Sequence, residues 1–114
     1  MSDPRERRLP VLRQQGWEHH RSNVEGTFAL GQLYATPGAI QAVVTAADDV
    51  FRYLARHARG DWGEVDREDW LANDAALVSV TRLLSAYCLR DGTRIWIITE
   101  ADRASTTILL PDEY

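Results

Sequence analysis

LLSAYCLRDGTRIWIITE, residues 83–100, is the stretch that decides the fold expected for this chain. It contains two β-rich runs, LLSAYCL (83–89) and RIWIITE (94–100), on either side of the pair Asp91-Gly92. An Asp-Gly pair supplies the positive φ angles of a tight turn between two strands. The stretch therefore predicts a β-hairpin.

A third strand is predicted directly after this hairpin. The polar segment 101–105 separates the hairpin from TTILL (106–110), and Pro111 ends that run because proline cannot donate a hydrogen bond to a strand ladder. Upstream, TFALGQLYA (27–35) alternates well enough to predict a fourth strand. The hairpin and the strand at 106–110 are together expected to form a three-stranded meander in the second half of the chain.

Two helices are predicted between the first strand and the hairpin. Thr36 and Pro37 form a helix start, and apolar residues recur from there at helical spacing as far as Gly60, which can adopt the left-handed cap. A second, short helix opens at Asp66, with Asp69 three residues later as an aspartate version of the capping box. The expected class is α+β, a four-stranded antiparallel sheet in the order β-α-α-β-β-β with the helices packed on one face.

Length and composition predict one globular domain and a cytoplasmic location. The chain has 114 residues, of which 45% are hydrophobic and 26% are charged. Residues 1–26 show no clear period, so we expect an irregular or partly disordered arm before a single α+β domain over 27–114. The charged start MSDPRERRLP does not resemble a signal peptide, and no apolar run is long enough to cross a membrane.

The distribution of charge and cysteine excludes several kinds of site. The net charge is -4, and residues 61–74 contain six acids against the single cation Arg67. Nucleic-acid binding is disfavoured, because it needs clustered positive charge. The single cysteine, Cys88, cannot form an internal disulfide, and the histidines and cysteine lack the spacing of metal ligands. We therefore expect no metal and no cofactor.

The segment HARGDWGEVDREDWLAN, residues 57–73, is the densest group of polar side chains in the sequence. Polar groups concentrated at a helix end are where we expect a binding surface for a protein partner or a second copy of the chain. The second predicted turn could add further charged groups to this surface. The candidate binding residues are Asp61, Trp62, Glu64, Asp66, Asp69, Asn73, Glu100, Asp102 and Arg103.

The same segment has a catalytic and a structural interpretation. In the catalytic one, His57 acts as a general base oriented by Asp61, Glu64 lies nearby, and the carboxylates hold Mg²⁺, which is typical of a small hydrolase or nuclease. In the structural one, which we favour, His57 ends a helix and is hydrogen-bonded by Asp61, while Trp62 and Trp70 fill the edge of the core. The threonines of the predicted strands are interpreted as β-formers.

Five segments of the sequence carry a resemblance: LGQLYATPGAI (30–40), HARGDWGE (57–64), RLLSAY (82–87), WIITEADR (96–103) and TTILLPDEY (106–114). Together they resemble a family of small proteins carried on bacterial plasmids and integrative elements, the plasmid-related proteins. The resemblance covers residues 27–114 and implies an accessory role in a mobile genetic element, such as plasmid maintenance or counter-defence, without an assigned activity. On this ground we expect a protein that binds a partner and is not an enzyme.

Overall fold

A computed structural model describes residues 28–114 and the backbone of Leu9 and Pro10. The predicted arm, residues 1–26, lies outside the described residues apart from that pair. The strands are β1 (Leu9–Pro10), β2 (Gln32–Ala35), β3 (Leu83–Cys88), β4 (Arg94–Thr99) and β5 (Ser105–Leu109). The helices are α1 (Pro37–Thr45), α2 (Val50–Ala58) and α3 (Arg67–Ser79), and a 3-10 helix (Pro111–Glu113) follows β5.

The α+β class and the predicted hairpin are confirmed. Strands β3 and β4 pair antiparallel, with Leu83 opposite Thr99, and β4 continues antiparallel into β5. Gly92 has a φ of 90° in the connecting turn, where the carboxylate of Asp91 accepts a hydrogen bond from the Thr93 N–H at 2.9 Å. The alternation of apolar residues and the turn residues therefore agree with the observed antiparallel meander of β3, β4 and β5.

The expectation that the whole sheet is antiparallel is wrong. The strand order is β1-β2-β5-β4-β3, and β2 runs parallel to β5, with Leu33 beside Thr106 and Ala35 beside Ile108. Three helices connect β2 to β3, and so long a connection can return the chain to either end of the sheet. The direction of β2 therefore depends on the path of the helices, which the alternation within β2 does not encode.

The single helix predicted between Thr36 and Gly60 is divided into α1 and α2. Thr36 caps α1 as predicted, since its hydroxyl accepts a hydrogen bond from the Ala39 N–H at 3.1 Å. Ala47 then takes a positive φ of 52°, and the carboxylate of Asp49 starts α2 by accepting from the Phe51 N–H at 3.0 Å. The apolar spacing continues across this break, which explains why periodicity alone predicted one helix.

Asp48 fixes the break between α1 and α2 to the β3–β4 turn. Its side chain is fully buried, and it accepts hydrogen bonds from the Tyr53 hydroxyl at 2.7 Å and from the Arg90 N–H at 2.9 Å. Arg52 donates to the same carboxylate at 2.9 Å. Burial raises the pKa of Asp48, but these donors and the charge of Arg52 lower it overall, so the buried group stays ionised.

The main core lies between one face of the sheet and helices α1 and α2. Tyr53 and Leu54 of α2 pack there against strand residues such as Ile97. A smaller cluster forms around Trp62, where α3 meets the start of β3 at Leu83. The buried apolar residues of the main core are Leu33, Ala35, Ala39, Tyr53, Leu54, Tyr87, Leu89, Ile95, Ile97 and Ile108.

Helix α3 is longer than the predicted short helix and ends at a strained position. Asp66 caps it as predicted, accepting from the Asp69 N–H at 2.8 Å, and the helix continues to Ser79. Val80 follows in the left-handed region with a φ of 56°. A β-branched residue is an outlier there, because its Cβ crowds the backbone.

Val80→Gly should therefore stabilise the protein. The left-handed conformation costs a non-glycine residue about 1–2 kcal/mol, and the greater freedom of glycine in the unfolded chain offsets about 0.5–1 kcal/mol of that gain. We expect the free energy of unfolding to rise by up to about 1 kcal/mol, seen as a higher urea midpoint at an unchanged m-value.

Val78→Gly is the matched control, because Val78 has an ordinary helical conformation within α3. It should lower the urea midpoint slightly, since glycine has a low helix propensity. A lower midpoint for Val80→Gly as well would contradict the strain argument.

Candidate functional site

His57 in α2 is fully buried, and both of its ring nitrogens contact hydroxyl groups. Nδ1 lies 2.5 Å from Ser85 Oγ on β3, and Nε2 lies 2.8 Å from Thr99 Oγ1 on β4. Thr99 Oγ1 is 2.7 Å from Thr106 Oγ1 on β5, which donates to the Leu30 carbonyl at 2.7 Å. A chain of four hydrogen bonds, here called the His57 chain, thus crosses the core from β3 to the segment before β2.

The Leu30 carbonyl fixes the direction of the bonds from Thr106 back to Nε2 of His57, because a carbonyl oxygen only accepts. Thr106 gives its proton to that carbonyl and must accept from Thr99. Thr99 has then spent its own proton and accepts from Nε2 of His57. In a neutral ring Nδ1 then carries no proton and accepts from the Ser85 hydroxyl. A neutral imidazole with its proton on Nε2 therefore satisfies the whole chain.

The surroundings of His57 also favour the neutral ring. Phe28 and Trp62 pack against it, with ring centroids 5.3 Å and 5.6 Å from the imidazole centroid. Burial, assisted by the positive charge of Arg103, lowers the pKa of His57 from 6.5 to about 3. The imidazole therefore joins α2 to the sheet by hydrogen bonds inside the core, and it stays uncharged at neutral pH.

The catalytic grouping predicted from His57, Asp61 and Glu64 is not assembled, and the predicted hydrogen bond from Asp61 to His57 is wrong. Asp61 instead accepts from the Arg56 guanidinium at 2.8 Å, a bond that lowers the pKa of the carboxyl. Glu64 is exposed and forms an ion pair with Arg94 at 3.4 Å. The three residues belong to three separate contacts because the chain turns away from the end of α2 after Gly60.

The motif that follows His57 extends the outer edge of β3. The Trp62 carbonyl accepts from the Ala86 N–H at 3.1 Å, and the Glu64 N–H donates to the Ala86 carbonyl at 2.6 Å. Gly63 between them has a φ of 74°, and a Cβ there would lie 2.0 Å from the Ala86 oxygen. Glycine is required at this position both by its φ and by the close approach of the two backbones.

Asn73, a predicted binding residue, closes the next part of the same edge. Its amide nitrogen donates to the Leu84 carbonyl at 2.7 Å, and its amide oxygen accepts from the Leu84 N–H at 3.1 Å. The side chain thereby replaces the peptide group of a neighbouring strand. Trp62 is also buried and donates from its indole to Asp74 at 3.0 Å. Both residues have structural contacts that explain their place in the motif.

The predicted charged residues of the second turn are likewise in local contacts. Arg103 donates to the Ala76 carbonyl at 3.0 Å and to the Thr81 carbonyl at 2.6 Å, so it satisfies carbonyl groups at the end of α3. Glu100 forms an ion pair with Arg82 at 3.3 Å, and Asp102 accepts from the Ala104 N–H. This turn supports α3 and does not line a cleft with His57.

The outer face of α3 remains as the prominent surface of the candidate region. Leu71 is 54% exposed and Val78 is 86% exposed. Near the start of the helix, Glu68 and Asp69 are exposed and form no ion pair within the described residues. Leu71 also borders an open cleft of about 420 Å³, which is lined by Val65, Arg67, Trp70, Leu71 and Asp74.

Sequence reasoning missed the polar partners of His57. Thr99 and Thr106 were expected to serve as β-formers, and Ser85 was not singled out. A usable signal exists in the hairpin pattern, because Ser85 and Thr99 occupy inward positions of an otherwise apolar alternation. A polar side chain at such a position needs a buried partner.

Comparison with family models, curated proteins and solved structures gives no match for this chain. Within residues 28–114, no group of three or more histidine, cysteine or acidic side chains is arranged to hold a metal ion. No helix in this part of the chain is long and apolar enough to span a membrane.

The His57 chain predicts a loss of stability in mild acid. The pKa of His57 is about 3 in the folded protein and near 6.5 when unfolded, so between these values the unfolded state binds more protons. As the pH falls through this window, this group should lower the free energy of unfolding by about 1.4 kcal/mol per pH unit. Urea unfolding of the wild type and His57→Gln should differ by this slope, since glutamine does not titrate.

NMR of the wild-type ring nitrogens checks the same point without a variant. At pH 5 the His57 ring should be neutral, with its proton on Nε2. A ring that titrates near pH 6.5 in the folded protein, or carries its proton on Nδ1, would contradict the assigned chain.

Removing the Asn73 amide, which hydrogen-bonds the outer edge of β3, should also destabilise the fold. Asn73→Ala leaves the Leu84 N–H and carbonyl without their side-chain partner, and we expect a loss of about 1–3 kcal/mol in the free energy of unfolding. Asn73→Asp keeps an acceptor for the N–H but places a carboxylate against the Leu84 carbonyl, so it should not restore stability. Chemical denaturation measures both, and wild-type stability of Asn73→Asp would refute the paired hydrogen bonds.

Proposed function

We propose that this protein is a non-enzymatic accessory protein that acts by binding a protein partner through the outer face of α3. The observation that carries the proposal is the exposure of two large apolar side chains, Leu71 and Val78, on one side of that helix. They lie seven residues apart, which places them on the same face two turns from each other.

The composition of α3 supports a binding role for this face. The inner side of the helix already contributes Asn73 and Ala76 to the buried part of the fold. The two outer apolar residues keep more than half of their surface in contact with water, which lowers solubility. Exposed apolar side chains that share one face and have a polar rim are typical of protein interaction sites.

The contacts already made by His57 and Asp61 argue against an enzymatic role for the same region. His57 is enclosed, with both ring nitrogens hydrogen-bonded, and Asp61 is held by Arg56. A general base must reach a proton of the substrate, and a ring buried under α2 offers no such approach. Those residues are therefore better explained as parts of the scaffold that presents α3.

The biological setting is proposed from the resemblance to plasmid-related proteins. That likeness favours a role in a mobile genetic element, such as plasmid maintenance or counter-defence, in the cytoplasm of the host. It is an argument by association and stands separately from the argument for the α3 surface.

A pull-down from host lysate with wild type and the double variant Leu71→Glu/Val78→Glu tests the proposed surface. Both side chains are exposed, so the variant should keep the fold while the carboxylates prevent apolar contact. We expect proteins retained by the wild type, including untagged copies of the chain itself, to be lost at least tenfold with the variant.

Val44→Glu is the matched control, because Val44 is 67% exposed on α1, a different helix. It should retain the same proteins as the wild type, and circular dichroism should show all three chains folded alike. Equal retention by the wild type and the α3 variant would refute the proposed surface.

A further inference from the structure

We propose that the N-terminal segment of the chain, residues 1–10, is an internal ligand of an apolar groove beside α1, and that it covers both this groove and the edge of β2. The groove lies at the β2 side of the sheet, whereas α3 packs at the opposite edge beside β3. The inference is therefore independent of the proposed function, and its test does not involve the α3 surface.

The groove lies between α1 and strands β2 and β5. Ala35 of β2 and Ile108 of β5 form its floor and are only 2% and 1% exposed, while Ala39, Ile40 and Val43 of α1 form a wall. Its volume is about 110 Å³, and every described residue that lines it is apolar. At the rim, Ile40 stays 38% exposed. Such a groove is suited to an apolar side chain, because a polar ligand would lose its hydration without gaining a hydrogen bond.

The register of β1 identifies the occupant. Leu9 lies opposite Ala35, and Pro10 lies opposite Tyr34, in the antiparallel β1–β2 pair. Directly opposed residues of such a pair share one face of the sheet. The register therefore assigns Leu9 to the face of Ala35, which is the face that carries the groove. Leu9 is the residue of β1 that is placed to fill it.

The charges on the two sides of this contact are complementary. The segment contains three arginines within residues 5–8. Extension of the β1 register by one residue would place Arg8 opposite Thr36, whose hydroxyl donates to the Glu113 carboxylate at 2.5 Å. Asp112 is exposed next to Glu113 in the 3-10 helix. Attraction between the arginines and this acidic end favours the bound segment and weakens as salt increases.

The backbone pairing of the segment is short enough to be displaced. β1 has only two residues, and Pro10 cannot donate a hydrogen bond to the strand ladder. The apolar contact of Leu9 therefore supplies most of the affinity. Release of the segment would expose an apolar groove beside a free strand edge, a combination that accepts an added β-strand in peptide recognition. The bound segment thus shields β2 from other strands.

Methyl NMR of the wild-type chain tests the contact directly. We expect nuclear Overhauser effects from the Leu9 methyl groups to the methyl groups of Ala39, Ile40 and Val43. Absence of all these effects would overturn the proposal. Effects found only between differently labelled copies in a mixed sample would assign the groove to a second copy, which would overturn it as well.

Dye binding tests whether Leu9 keeps the groove covered. Leu9→Asp should increase the binding of the apolar dye anilinonaphthalene sulfonate about tenfold or more, because the burial of one leucine side chain is lost. Adding Ile40→Glu, which places a charge at the rim, should remove this increase. Near-UV circular dichroism should show that both variants keep their tertiary packing.

Pro10→Asp is the matched control, because the register assigns Pro10 to the opposite face with Tyr34. It should bind the dye as the wild type does. Equal dye binding by Leu9→Asp and the wild type, or an increase that survives Ile40→Glu, would overturn the proposal. So would strong dye binding by the wild type that Ile40→Glu alone removes, since the groove would then be uncovered. If Leu9→Asp does not fold, the NMR contacts of the wild type decide.

Discussion

The hydrogen-bond chain through His57 is the interaction on which the arrangement of this fold depends. It joins α2 to β3, β4 and β5 and ends on the Leu30 carbonyl before β2, so it connects segments that lie far apart in the sequence. Each polar group in it has a partner, and the carbonyl at its end fixes the direction of the bonds from Nε2 of His57 to Thr106. Such a network stabilises only when complete, because an unpartnered polar group in a core costs free energy.

The densest polar segment of the sequence, residues 57–73, forms contacts that complete the sheet. After His57 the chain leaves α2 at Gly60, pairs Trp62 and Glu64 with Ala86, and places the Asn73 amide against Leu84. Those contacts close the outer edge of β3, which would otherwise offer free backbone groups to another strand. The Asn73 amide and Gly63 thus complete the edge of the sheet, and the His57 imidazole joins α2 to its inner face.

The contacts that close the edge of β3 also determine which side of α3 faces solvent. Asn73 and Ala76 fix the inner side of α3, and the opposite side then projects Leu71 and Val78 into solvent. A surface helix would ordinarily carry polar residues there. The exposed apolar side chains of α3 therefore support contact with another chain.

The sequence by itself determined the elements whose signals are local: the cap at Thr36, the cap at Asp66, the turn at Asp91-Gly92 and the alternation of the hairpin. These rest on side chains that act on their own neighbouring backbone, so they can be predicted from a few residues. Only the tertiary structure decided the parallel direction of β2, the break at Asp48 and the partners of His57. Each of these depends on groups distant in the chain, because Asp48 meets Arg90 and His57 meets Ser85 and Thr99 only after the helices have folded onto the sheet.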